Sequence, residues 1–384
     1  MPATIHAYDA HCALGRGTDA CVDALLAGGQ PPGVRHYDFL REPLSLPYFA
    51  MPPAAGDIYQ TLNRVATGVL NKAGLSPSAR QRTAVLLGSS SFDVQVSEDL
   101  YREDLTRRGA AAVPMPIIGY GKLADRLATE LELGDYRYTY STACTSSANA
   151  LLYGQRLITA GLADHALVIG LEWGNHTSVL GFAGLGLISP SGAMHPFDSD
   201  RDGLLLGEAI GCVLLSGMDA APAGLPHLAG GAIGTDNHSL TAANIDGVEL
   251  SRVITSALQD SGIEASALKG IKAHATASLK NDEAEAAAVK GVLGDKLPTV
   301  FALKPFCGHT LGASGALELA LTLGCLARGQ LPGNPGVRND GGLGINLLRE
   351  TTIAPEGYYL FNCFAFGGNN NAFVIYHPAA EARA

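Results

Sequence analysis

Cys144 lies in Thr142-Ala-Cys-Thr-Ser-Ser, where an extended run over 138–142 gives way to a small-residue helical pattern over 146–158. A thiol at a helix N-terminus faces unpaired N–H groups and the positive end of the helix dipole, which favour a thiolate and offer donors to an oxyanion. The same segment also fits a buried structural cysteine, the commoner fate of a free thiol. His274 closes a strand-like run in Ile271-Lys-Ala-His-Ala-Thr-Ala-Ser. A histidine there projects into the crevice where open α/β sheets bind ligands, or else is a core residue tied to backbone. His309 follows in Lys304-Pro-Phe-Cys-Gly-His-Thr-Leu-Gly-Ala-Ser-Gly, whose glycines let a substrate approach the backbone closely. A turn histidine ahead of a helix is the alternative. Lys304, five residues before His309, and Glu318, nine after it, either form a buried pair that holds the histidine or leave the lysine at the surface.

One cysteine, two histidines and a lysine suit carbon–carbon bond formation by acyl transfer. The thiolate captures an acyl group as a thioester, and two neutral imidazoles donate hydrogen bonds to the enolate formed when a malonyl thioester loses CO₂. Backbone N–H groups beside the cysteine and in the later Gly-Gly turn, Asn362-Cys-Phe-Ala-Phe-Gly-Gly-Asn, would bind the tetrahedral oxyanion, although taken alone the latter segment reads as a strand with packed aromatics. A metal site is disfavoured, because the histidines and cysteines lack the short ligand spacing of structural zinc sites and no His-x-x-x-His pair occurs. A serine nucleophile lacks its G-x-S-x-G elbow.

Short β-like runs at 83–87, 166–170, 211–215, 270–274, 299–303, 358–362 and 372–376 must position these groups. Between them lie helical patterns at 20–26, 57–73, 121–131, 148–160, 250–261, 282–292 and 315–328. Buried strands interleaved with helices predict an α/β layered fold. The Pro/Gly/Ala-rich stretch 218–231 reads as a seam, dividing the chain into halves over 1–220 and 221–384. The cysteine falls in the first half and both histidine motifs in the second.

A chain of 384 residues, 47% hydrophobic and 16% charged, buries a large core. Its formal charge of −10, with no basic stripe, argues against nucleic acid as a partner. Seven scattered cysteines with no CxxC pair predict reduced thiols in a cytoplasmic protein. No apolar run reaches the length of a membrane span.

These motifs, in this order and across nearly the whole chain, resemble the β-ketoacyl-acyl carrier protein synthase family of Cys-His-His condensing enzymes. The resemblance adds Pro196-Phe-Asp-Ser-Asp-Arg-Asp-Gly-Leu-Leu-Leu-Gly-Glu-Ala to the motifs quoted above. It implies a thiolase-like fold, two similar α/β halves in α-β-α-β-α layers. It also implies Cys144 as nucleophile, His274 and His309 as the decarboxylation pair, Lys304 and Glu318 as their support, and Phe366 as gating aromatic and oxyanion donor. Thr241 becomes a malonyl contact and Phe182 a lining residue at the far end of the acyl channel, near a subunit interface. No cofactor is implied, since substrates arrive on the phosphopantetheine of an acyl carrier protein. That acidic partner would meet basic residues drawn from Arg64, Lys72, Arg107, Arg108, Lys122 and Arg126. A homodimer or a heterodimer with a related ketosynthase-like subunit is expected, and the alternative role is that of a non-catalytic chain-length partner. The chain departs from the family in His274-Ala-Thr-Ala-Ser, where His-Gly-Thr-Gly-Thr is usual, in Ala365 before Phe366, and in a short segment between Ser189 and Pro196. These departures point to a specialised synthase of the aryl-polyene or type II polyketide kind, with methyls where glycine would allow positive φ.

Overall fold

The computed structural model describes residues 1–53, 56–112, 120–294, 296–334, 336–338, 341–345 and 347–378. Its largest sheet divides into two five-stranded runs, with the two-residue strand Gly15–Arg16 pairing the end of Ala3–Cys12 off that path. In the first, Ala209–Ser216 lies antiparallel between Ala3–Cys12 and His165–Glu172; Thr83–Gly88 and then the edge strand Arg137–Tyr140 continue in parallel. In the second, Asn369–His377 lies antiparallel between His227–Thr235 and Gly357–Phe364; Leu268–Lys272 and then Thr299–Phe301 continue in parallel. Counted by chain position, both runs follow one order: first strand, fifth, fourth, second, third. They join through a short antiparallel contact, Ala3 opposite Leu228 and Thr4 opposite His227.

Layering follows from which faces are apolar. Helices Ser146–Thr159 and Ser314–Ala327 are buried along most of their surface, and the second is apolar nearly all round, as a helix covered on every side must be. They lie between the two sheet runs and share one hydrophobic core with the inward faces of both. Helix Ile58–Ala73 is instead amphipathic: Leu62, Val65, Ala66, Val69 and Leu70 face the first sheet run, while a capping box at Asp57 and Gln60 starts it and left-handed Gly74 ends it. Val248–Asp260 and Leu279–Leu293 cover the outer face of the second run in the same way. The result is the expected five-layer α-β-α-β-α arrangement. Strands His165–Glu172 and Ala209–Ser216 are buried throughout, which explains their near-continuous apolar sequences.

Within the two five-stranded runs, two strands escape the hydrophobic pattern. Ala3–Cys12 carries His6, Asp9 and His11 among small residues, so no alternation stands out. The supposed seam at 218–231 contains the start of His227–Thr235. Its glycines are there for close approach: a Cβ on Gly231 would come within 2.6 Å of Leu152 Cδ2. These glycines thus serve packing between layers, and the first sheet run ends at Ser216 and the second begins at His227.

Candidate active site

After the edge strand Arg137–Tyr140 the chain turns sharply through Ala143, at φ 51°, into the short 3₁₀ turn Ala143–Thr145 and helix Ser146–Thr159. Cys144 therefore sits at a helix entrance, buried at 4% exposure. Several bonds hold the elbow. Ser146 Oγ accepts from Thr142 N–H at 2.9 Å and donates to the Ala143 carbonyl at 2.7 Å. Asn369 Oδ1, from the other half, accepts from Thr145 Oγ1 at 2.7 Å and Asn149 Nδ2 at 2.9 Å. Gly88 lets the elbow close on the neighbouring strand, since a Cβ there would lie 2.4 Å from Ser147 N.

His309 Nε2 is 3.0 Å from Cys144 Sγ, and its Nδ1 is 3.3 Å from Ser314 Oγ. Its own backbone is clamped, N–H donating to Leu205 O at 2.7 Å and carbonyl accepting from Gly207 N–H at 3.1 Å. His274 lies two residues beyond strand Leu268–Lys272, with its ring perpendicular to that of His309 at a centroid distance of 5.4 Å. Its Nδ1 is buried and has no protein partner among the described residues. Burial first, and the Lys304 ammonium second, hold both imidazoles well below the usual histidine range, so they are neutral at pH 7. Burial pushes the Cys144 thiol up to about 12, while Lys304 and a hydrogen bond from the Phe366 backbone pull against it. The thiol thus rests protonated within reach of an imidazole and a backbone donor.

Lys304 is 1% exposed, which excludes the surface reading, and its Nζ lies 2.7 Å from Glu318 Oε1. Glu318 also binds Lys272 Nζ through Oε2. Burial pushes the Glu318 carboxyl up, but the two ammoniums outweigh it and hold it below the ordinary range.

Phe366 belongs to a turn built on Gly367 and Gly368, at φ 77° and 73°. A Cβ on Gly368 would sit 1.7 Å from Asp236 O, so only glycine fits. Gly367 N–H donates to Leu240 O, and Asp236 N–H to Gly368 O, each at 2.8 Å, tying this turn to the 236–244 loop. Phe182 stacks on Phe366 at 5.7 Å and 11°, beside the turn and not remote from it. One cavity is lined by Cys144, His274, His309, Phe182, Phe366 and Thr241, the last exposed at its mouth.

The alanine departures divide. Ala275 and Ala277 do adopt left-handed backbone, φ 52° and 59°, whereas Ala365 is ordinarily extended at φ −128°. Glu285 holds the first of these positions, accepting from His274 N–H at 2.7 Å and Ala275 N–H at 2.8 Å. A two-pronged carboxylate grip of this kind keeps a costly conformation in place. Four groups escaped the sequence reading: Ser314, Glu285, Asn369 and Lys272. A lysine inside the apolar run 270–273 and three asparagines after Gly-Gly were the available signals. Four of the six basic residues named for a carrier protein are ion-paired: Arg107 and Arg108 share Asp104, Arg126 binds Glu130, and Lys72 binds Asp9. Among the described residues no helix is long and apolar enough to cross a membrane, and no cluster of side chains could hold a metal ion.

Residues 48–221 match the family model for the β-ketoacyl synthase N-terminal domain, and 226–338 that for the C-terminal domain. A 3-oxoacyl-[acyl-carrier-protein] synthase 2 of Mycobacterium bovis is 31% identical over 289 residues, covering 71% of this chain and 69% of its own. Among solved structures, a ketosynthase in complex with its chain length factor from Xenorhabdus doucetiae superposes with a TM-score of 0.86 at 27% identity, covering 98% of each chain. A type II PKS acyl-carrier protein in complex with its ketosynthase also gives 0.86, at 21% identity over 98% of this chain and 99% of that one, and so speaks for the fold. With the cysteine elbow, the paired histidines and the shared five-layer order already in view, the matches to both domains make this chain a member of the β-ketoacyl synthase family.

Proposed function

We propose that the chain catalyses the decarboxylative Claisen condensation of an acyl thioester, held on Cys144, with malonyl-acyl carrier protein, extending a fatty acid or polyketide chain. The observation that carries this reading is the 3.0 Å contact between Cys144 Sγ and His309 Nε2, with His274 facing the same cavity. In the first half-reaction Sγ attacks the acyl carbonyl, the new C–S bond replaces the old one, and the thiol proton leaves with the pantetheine sulfur. The helix N-terminus and Lys304 favour the developing thiolate. In the second, the malonyl C–C bond breaks, CO₂ departs, and the electron pair moves to the thioester oxygen as an enolate. We assign the neutral protons to Nε2 of both histidines, Ser314 Oγ donating to His309 Nδ1, so that both rings donate to that oxygen. The enolate carbon then attacks the acyl-Cys144 carbonyl. The N–H groups of Cys144 and Phe366 receive the oxyanion, and collapse releases the cysteine. Residues 1–220 would supply the nucleophile, and 221–384 the histidines with Lys304 and Glu318. Thr241 would contact the malonyl group, Phe366 would gate the cavity, and Phe182 would bound the acyl chain behind it.

No resident cofactor is needed, because the acyl groups arrive on the carrier protein. We read the partner across the sheet edge as a second ketosynthase-like chain, identical or related: among the described residues no strand pairs with the outer edge of Arg137–Tyr140, and Tyr138 within it is 42% exposed. The relative bound to a chain length factor supports a related subunit as that partner, and with it we read the setting as an aryl-polyene or type II polyketide pathway. The test is mass spectrometry after incubation with acyl carrier proteins bearing different acyl groups. A thioester on Cys144, followed by CO₂ release and chain extension with malonyl carrier protein, is expected. A chain that acquires no thioester is the non-catalytic partner instead, and light scattering reports whether it dimerises.

A further inference from the structure

Lys272 ends strand Leu268–Lys272, fully buried where an apolar side chain is the ordinary occupant. Its Nζ binds Glu318, donates to the Asn362 carbonyl at 2.9 Å, and lies 5.9 Å from the Phe361 ring. Asn362 continues the path, its Nδ2 donating to Glu285 Oε1 at 3.0 Å. Glu285 in turn grips the His274 and Ala275 N–H groups. A continuous chain of contacts therefore runs from Glu318 through Lys272, Asn362 and Glu285 to the backbone of His274.

Charge counting gives that chain its meaning. All three of these bonds to Glu285 are accepted from N–H donors, the pattern of a carboxylate; burial pushes this carboxyl up overall, and the three bonds and then the Lys272 ammonium pull against it. Within this chain of contacts two buried carboxylates, Glu285 and Glu318, face two buried ammoniums, Lys272 and Lys304, while Asp282 on the helix of Glu285, pushed up to about 7 by burial, has Arg201 Nε 3.9 Å away as its own cation. Lys304 alone would leave one negative charge uncompensated beside the histidines, in a dry interior where such a charge is costly. Burial disfavours the Lys272 ammonium, but Glu318 and Glu285 outweigh it and hold the lysine above its usual range. Cys363 faces it too, as a thiol whose ionisation burial opposes. The histidines face one another, Cys144, Ser314 and Lys304, and Glu172 adds a further buried carboxyl on the cysteine side.

We propose that Lys272 is a positioning residue of the condensation site, whose ammonium balances Glu285 and thereby keeps the His274–His309 pair uncharged. It touches neither substrate nor thiol. It acts through Glu318 and through the Asn362–Glu285 link, so that the same charge both fixes the His274 backbone and sets the field at the two imidazoles. The inference rests on the condensation reading above for its catalytic consequence, but not for its electrostatic one.

The test combines the pH profile of CO₂ release from malonyl carrier protein with imidazole ¹⁵N titration by NMR, which needs no turnover. In Lys272→Met both the acid limb and the imidazole titration should move up by about one pH unit. In Lys272→Met/Glu285→Gln, where the charges again balance, they should return toward the unaltered chain. Imidazoles that titrate in Lys272→Met as they do in the unaltered chain would overturn the proposal. Should Lys272→Met not fold, the double variant decides: charge balance requires it to fold, and its failure to do so equally rejects the idea. An unaltered chain that releases no CO₂ refutes the condensation reading alone, because the NMR titration still tests Lys272.

Discussion

In the first half the chain leaves edge strand Arg137–Tyr140, turns at Ala143 with φ 51°, passes through a 3₁₀ turn and enters the 14-residue helix Ser146–Thr159. In the second it leaves edge strand Thr299–Phe301, crosses Lys304 and His309, turns at Leu311 with φ 41°, and enters the 14-residue helix Ser314–Ala327 through an equivalent 3₁₀ turn. The backbone device is the same, down to a strained left-handed residue at one position. The side chains differ: the residue after the strained one is Cys144 in the first half and Gly312 in the second. A Cβ on Gly312 would meet Ser90 N at 2.4 Å, so the second elbow has no room for a nucleophile and serves to present the histidine before it. The repeated topology supplies the placement, and the local volume decides which chemistry each half carries.

The comparison is most sharply broken at the cysteine. Cys144→Ala makes the first elbow as inert as the second, and condensation should fall by more than about 10³-fold. Unchanged turnover, followed by product mass spectrometry, would reject the assignment. On the other side, His274→Ala and His309→Ala should each leave acylation intact and slow CO₂ release by about 10²- to 10³-fold. The double variant should lose much less than the product of the two, because the rings act on one oxygen. Single-turnover acylation and a CO₂ assay separate the steps.

Stability responses come next. Gly315 lets the central helices touch: a Cβ there would lie 2.5 Å from Ala148 N, so Gly315→Ala should cost about 1–3 kcal/mol in a urea unfolding curve. Its counterpart Ser147→Ala removes only the acceptor for Ala316 N–H, now 3.1 Å away, and should cost nearer ~1 kcal/mol. Equal losses would end the idea that the two halves meet asymmetrically. For pH, the folded state depresses the His309 affinity for protons, so below pH 6.5 the unfolded chain binds the proton that the folded chain refuses. Stability therefore falls as pH drops from 6.5 toward the folded value. His309→Gln should flatten that acid slope by up to about 1.4 kcal/mol per pH unit, with denaturant midpoints between pH 5 and 7 as the measure. The smallest effect is expected at Ala275→Gly. Relief of left-handed strain, about 1–2 kcal/mol, is offset by unfolded-chain entropy of about 0.4–1 kcal/mol and a lost buried methyl of about 0.8 kcal/mol. A shift above ~1 kcal/mol in either direction would show that the Glu285 grip does not hold this loop as described.

Much of this was legible beforehand because it depends on local chemistry. The strands at 83–88, 165–172 and 209–216 advertise themselves by continuous apolar sequence, and Cys144, His274 and His309 by residues that are chemically unusual beside glycine and alanine. What stayed hidden is long-range. Strand His227–Thr235 has no apolar alternation to show it because its glycines answer to Leu152 and to other parts of the chain distant in sequence. Lys272 looks like an ordinary strand residue because its partner Glu318 is 46 positions away. The identical order of the two sheet runs is not visible by eye in the sequence, since topology constrains where strands go and not which apolar side chains fill them.

The ties between the Phe366 turn and the 236–244 loop have a consequence in time. A free phenylalanine ring changes rotamer in picoseconds to nanoseconds, but Gly367 and Gly368 are each bonded to that loop through backbone at 2.8 Å, and Phe366 leans on Phe182. Moving the aromatic out of the cavity means moving two segments together and reforming their bonds, a collective rearrangement on the microsecond-to-millisecond scale. Relaxation dispersion at the Gly367 and Leu240 amides should then report one shared exchange rate. On the gating role proposed for Phe366, the rate at which substrates reach the thiol is expected to follow that clock, whatever the speed of the bond-making step behind it.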